Sequence, residues 1–146
     1  MIILQLIDAR FPEKQPTIPE SLKRRISIFY TCELTDTECD MFSRVLVGLE
    51  RMLEQDTAIK PELWAHVIFA GLPLLAFQMD DVAGSFAPLV VYPVYAWRAK
   101  KLDAYGMIAA MVEELCHCFW SIRDENLVKD KDREFFKKID LPQLPS

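Results

Sequence analysis

Thr35 followed three residues later by Glu38 is the strongest constraint in this sequence. A Thr hydroxyl at a helix start accepts from the third backbone N–H, and a Glu there reaches back to the Thr N–H. Behind the pair, Phe42, Val45, Leu46, Leu49, Met52 and Leu53 recur at helical spacing, so an amphipathic helix is expected over 36–55. Immediately before it, Arg25 to Cys32 is β-branched and aromatic, the composition of a strand. A strand feeding a capped helix excludes both an all-β chain and a simple bundle. The expectation is an α+β domain: a small mixed or antiparallel sheet packed with three to five helices.

The rest of the chain extends this reading. Residues 2–7 form a short apolar run closed by Asp8, expected as a first strand, and Pro12, Pro16 and Pro19 fix an extended loop after it. Pro61 can open a second helix from its first turn, burying Trp64, Val67, Ile68 and Leu63 and ending at Gly71. On it Glu62 and His66 would stand four apart, a spacing read as a surface pair. Residues 74–79 fit a strand or a helical continuation equally, and 80–84 read as a turn. Phe86 to Tyr95 reads as a strand whose Pro88 and Pro93 confine it to an edge or to its own ends. Asp103 caps a helix expected to run to Glu125. After Asp124 a charge-rich stretch with Leu127, Val128, Phe135 and Phe136 as apolar anchors predicts a last amphipathic helix, and 141–145 read as a frayed tail.

At 146 residues with 51% hydrophobic content, one domain spanning 1–146 with a substantial core is expected. A net charge of -5 disfavours a general nucleic-acid binder, which needs a basic surface against phosphates. The longest apolar run, Val67 to Phe77, is cut by Gly71 and Pro73, so no membrane span is expected. The N-terminal apolar run is too short for a signal segment and lacks preceding basic residues. The four cysteines form no CxxC pair, and Cys116 and Cys118 would lie about 160° apart on a helix. Reduced, buried thiols in a cytoplasmic protein follow as the expectation. Four scattered glycines provide no phosphate-binding loop, and GxSxG is absent.

The chemistry concentrates in Glu113-Glu114-Leu115-Cys116-His117. On a helix from Asp103, Ile108, Met111, Val112, Leu115 and Phe119 make a core stripe, while Glu113, Glu114, His117 and Asp124 gather on the other side. Residues four apart share a helix face, so Glu113 and His117 can hold one ion. Glu114, pointing about 100° away, takes a general-base position. Asp124 joins them if the helix continues, and Glu125 if it breaks. Two carboxylates with one imidazole shift preference from zinc toward manganese or iron. Glu114-Leu115-Cys116-His117 also reads as the ExxH of di-iron bundles, but a second ExxH is missing.

This motif resembles the HExxH helix of zincin metallopeptidases with the first histidine replaced by glutamate. The similarity spans roughly residues 84–126: an edge-like strand, a short connection, the helix, and an acidic residue shortly after it. Trp120 stands where minimal zincins turn the chain with glycine. The resemblance implies a zincin-like fold, a divalent metal (zinc, or manganese or iron) on Glu113, His117 and Asp124 or Glu125, Glu114 as base, and a peptide or protein substrate. The alternative is a non-catalytic α+β protein that binds a partner protein through the same fold, with an exposed apolar patch around Trp97 or Phe135 and Phe136.

Overall fold

The computed structural model describes residues 4–57, 59, 64–79 and 88–142. Among the described residues five strands and four helices follow in the order β1 (Leu4–Leu6), β2 (Ile26–Tyr30), α1 (Asp36–Gln55), β3 (Ala65–Ala70), β4 (Phe77–Met79), β5 (Leu89–Pro93), α2 (Val94–Ala99), α3 (Ala104–Trp120) and α4 (Glu125–Phe136). A 3-10 turn at Glu20–Leu22 leads into β2. The architecture is α+β.

The main sheet is parallel throughout, in the order β2-β3-β5, which corrects the expected mixed or antiparallel sheet. Among the described residues antiparallel pairing is found in a separate two-stranded ladder, β1 with β4, and in an isolated bridge between Arg10 and Tyr30 of β2. The reason lies in α1. Twenty residues of helix carry the chain about 30 Å back along the sheet, so β3 must start at the same end as β2 and run alongside it.

The expected second helix is instead β3. Ala65 to Ala70 is the middle strand, with every residue but His66 buried. A parallel strand covered on both faces is apolar at every position, so its period-2 signal disappears. Trp64, expected in the core, is 44% exposed. Pro61, Glu62 and Leu63, the 80–84 turn and Phe86 lie outside the described residues. Of the ambiguous 74–79 stretch, Phe77–Met79 is strand β4. Among the described residues β5 is an edge strand, ending on Pro93, where its lack of an N–H costs no ladder bond.

Tyr30, Phe69 and Tyr92 stand in register across one sheet face, with ring centroids 5.8 and 5.3 Å apart along the row. Phe42 of α1 packs edge-on against Phe69 and Tyr92 at 5.0 and 5.6 Å. On the same face the Tyr92 hydroxyl donates to the Met111 carbonyl of α3 at 2.8 Å, tying β5 to α3. α4 then covers α1 and α3 with Val128 and Phe135, both fully buried. Gly48 allows that approach: a Cβ there would come within 2.7 Å of Ile139 Cγ1. Leu127, expected as an anchor, is 60% exposed. The opposite sheet face, with Phe29, His66, Ile68 and Leu89, is partly covered by Leu6 and Phe77 of the ladder.

Both helix caps read from the sequence form. Thr35 accepts from the Glu38 N–H at 3.1 Å while Glu38 accepts from the Thr35 N–H at 2.8 Å. Asp103 accepts from the Gly106 N–H at 2.7 Å. Glu38 has a second role: at 1% exposure it is the one buried charged side chain among the described residues, and Arg98 of α2 donates to both its oxygens at 2.7 and 3.0 Å. At the other end of the chain, the Tyr105 hydroxyl donates to the Pro142 carbonyl at 2.9 Å, so the tail is held at least that far. Among the described residues no helix is long and apolar enough to cross a membrane.

Candidate metal centre

α3 ends at Trp120, five residues before the expected end, because Ser121 turns the backbone into the left-handed region at φ 52°. Left-handed backbone at a helix C-terminus stops propagation and frees the next residues to start another helix. Asp124 does so: its carboxylate accepts from the Asn126 and Leu127 N–H groups at 2.8 and 3.0 Å. Asp124 is therefore the N-cap of α4 and is not among the converging donors, so of the two alternatives for a third donor the helix break leaves Glu125. The break brings Glu125, the first residue of α4, back over the last turns of α3.

Glu113, His117 and Glu125 then offer one donor atom each, all within 4.8 Å of one another. His117 Nε2 lies 3.8 Å from Glu125 Oε1. The other ring nitrogen, Nδ1, is 2.5 Å from the Ile122 carbonyl oxygen. A carbonyl only accepts, so Nδ1 carries the proton and donates, and Nε2 is turned toward the two glutamates with its lone pair free in the neutral ring. This is the arrangement by which a backbone carbonyl fixes the tautomer and orientation of a metal-binding histidine. The turn after α3 thus both ends the helix and aims the imidazole.

The electrostatics of the cluster are those of crowded acids. Burial pushes the Glu113 carboxyl above the ordinary range, and the negative charges of Asp132 and Glu125 push it the same way. His117 is raised first by its bond to Ile122, with Glu114, Glu125 and Glu113 adding to it against its partial burial. Three donors around one ion at about 2.1 Å sit about 3–3.6 Å from one another. Donors within 4.8 Å of one another close to that spacing by about 1–2 Å, a movement that the exposed Glu125 side chain can make by torsion. Glu125 is 69% exposed, so the outer side of the cluster is open to water. The donor set could therefore hold a divalent cation.

Beside this cluster a cleft of about 380 Å³ runs between the edge strand and α3. Val91 and Pro93 of β5, Trp97 of α2, and Ala110, Glu113 and Glu114 of α3 line it. Glu113 faces both cleft and cluster, and exposed Glu114 stands next to it on the cleft wall. Among the described residues β5 has a strand partner on one side only, leaving its backbone groups on the cleft side unpaired with any strand.

Other expected features resolve differently. Trp97 and Phe135 are buried at 5% and 0% exposure and Phe136 is half-buried, so the apolar patch expected of a binding module is not formed there. The thiols are poor nucleophiles: burial raises Cys118 to about 11 and pushes Cys116 higher still. His66 sits on β3 against Phe29 and Trp64 rather than on a helix, and burial lowers it, favouring the neutral ring. Asp132, absent from the sequence reading, lies beside the cluster; the only sequence signal for it is its position seven residues after Glu125 on one helix. Comparison of the chain with protein-family models, with curated proteins and with solved structures gives no match.

Proposed function

We propose that this protein is a divalent-metal-dependent hydrolase of zincin-like type, acting on peptide-like substrates. Glu113, His117 and Glu125 hold the ion and Glu114 serves as general base. The observation that carries the reading is the convergence of those three donors, with the His117 ring held by the Ile122 carbonyl, beside a cleft that Glu113 and Glu114 line.

The division of labour follows from position. A bound divalent ion supplies Lewis acidity, lowering the pKa of water and polarising a carbonyl. Glu113 and Glu125 give charge neutralisation, and His117 gives a directed nitrogen donor. Two carboxylates to one imidazole make manganese or iron better matched than zinc. Glu114, one residue on from a ligand and in the cleft, is placed to accept a proton from water and return it to a leaving amine. An extended peptide fits the cleft by pairing its backbone with the edge of β5 that no described strand pairs, which puts its carbonyls along the wall that carries Glu113 and Glu114. Trp97 and Pro93 supply apolar surface for a side chain.

The test is turnover of a fluorogenic peptide mixture by protein loaded with manganese, iron or zinc, compared with Glu114→Gln. The expected result is cleavage abolished by chelation and reduced about 10²–10⁴-fold in the variant, with metal binding retained. A protein that holds the metal at Glu113, His117 and Glu125 yet cleaves no member of the mixture would overturn the hydrolase assignment.

A further inference from the structure

We infer that Asp132 belongs to the same centre as an outer carboxylate, whose charge draws in and retains the cation held by Glu113, His117 and Glu125. The inference rests on the metal reading above and goes beyond it, since Asp132 is not one of the three converging donors.

Glu125 and Asp132 are seven residues apart on α4, two turns, so both side chains leave the helix on the face that meets α3. There the Asp132 carboxyl lies beside the thiol of Cys116, the chain neighbour of His117. Its oxygen Oδ1 is sealed from solvent and has no hydrogen-bond partner in the protein. Such an oxygen is costly to bury and is uncommon without a reason. The charged groups around it are Glu113 and His117 from α3 and Glu125 from its own helix. Three carboxylates thus meet around one imidazole. Burial raises Glu113, and the Asp132 charge acts in the same direction.

A divalent ion at the three donors answers both problems. It offsets the mutual repulsion of the carboxylates, and water bound to it offers Oδ1 the donor that the protein withholds. Outer carboxylates of this kind orient ligands and tune affinity, and their loss weakens metal binding about 10–100-fold. The resulting set, three carboxylates around one imidazole, favours a hard ion of the manganese(II) or iron(II) type.

The experiment is a manganese(II) titration of the metal-free full chain, with free ion followed by EPR, on wild type, Asp132→Asn, Asp132→Ser and Glu113→Gln. Thermal melting of each metal-free protein is recorded alongside. The expected outcome is one site in the wild type, weakened 10–100-fold in Asp132→Asn, with the melting temperature of that metal-free variant unchanged or higher because a buried repulsive charge is gone. Asp132→Ser replaces it if the amide does not fold. Folded Asp132 variants that bind manganese as tightly as wild type, while Glu113→Gln loses it, would overturn the role of Asp132 and leave the centre standing. No binding by the wild type would overturn both.

Discussion

Replacing Arg98 by Met isolates the buried Glu38 charge that joins α1 to α2. Arg98 donates to both Glu38 oxygens and, at 2.7 Å, to the Glu33 carbonyl. Met keeps much of the apolar stem and removes the cation. Stripping one partner from a buried pair costs about 3–5 kcal/mol. The Arg98 side chain is 42% exposed, so solvent reaches part of the pair and the expected loss falls to about 2–3 kcal/mol. With a urea slope of about 2 kcal/mol/M, that lowers the unfolding midpoint by about 1–1.5 M at pH 7.

The pH dependence gives the argument a second edge. Burial by itself would raise the Glu38 carboxyl, but the bonds from Arg98 and Thr35 outweigh it and hold it below the ordinary 4.5. In the wild type this pair therefore contributes stability above that value, and the contribution is lost as pH falls below it. In the variant burial is no longer offset by Arg98, so the carboxyl rises and its penalty is relieved by protonation. The gap between the two proteins must narrow from pH 7 to pH 3. A gap under about 1 kcal/mol at pH 7, or one that is the same at both pH values, would refute the assignment of a buried, Arg-compensated charge. Since α2 carries Trp97, the same variant should also loosen the cleft wall.

Three other perturbations test neighbouring parts of the fold. Tyr92→Phe removes the buried hydroxyl that ties β5 to Met111 of α3, and should cost about 1 kcal/mol in chemical denaturation. Ser121→Gly relieves a side chain held at φ 52° and should raise the melting temperature by a few degrees, the equivalent of about 0.5–1 kcal/mol. A fall would mean that the serine side chain itself stabilises the turn. Gly71→Ala places a Cβ 2.6 Å from Cys32 Cβ and 3.3 Å from the Thr31 carbonyl oxygen, and should destabilise by about 1–3 kcal/mol on thermal melting.

What the sequence carried was local. The Thr35–Glu38 box, the Asp103 cap and the apolar spacing of α1 and α4 depend on residues within a turn or two, and each forms where its signals lie. The direction of the strands was not legible, because alternation says which side a residue faces and nothing about which way its neighbour runs. β3 was hidden by its own burial on both faces. The site was half legible. Glu113 and His117 follow from a spacing of four on one helix, whereas the third donor depended on whether α3 stops, and the stop is made by a serine in a conformation more typical of glycine. Asp124 followed by an amphipathic run did carry an N-cap signal, and it was masked by the helical continuity read across it. Asp132 is brought in only by the packing of α4 on α3.

The most direct measurement is the metal content of the purified, untagged protein by elemental analysis, with His117→Ala prepared in parallel. The account predicts one equivalent of manganese, iron or zinc per chain in the wild type and its loss in the variant. No metal in either protein, with no thermal shift on adding manganese or zinc, would contradict it.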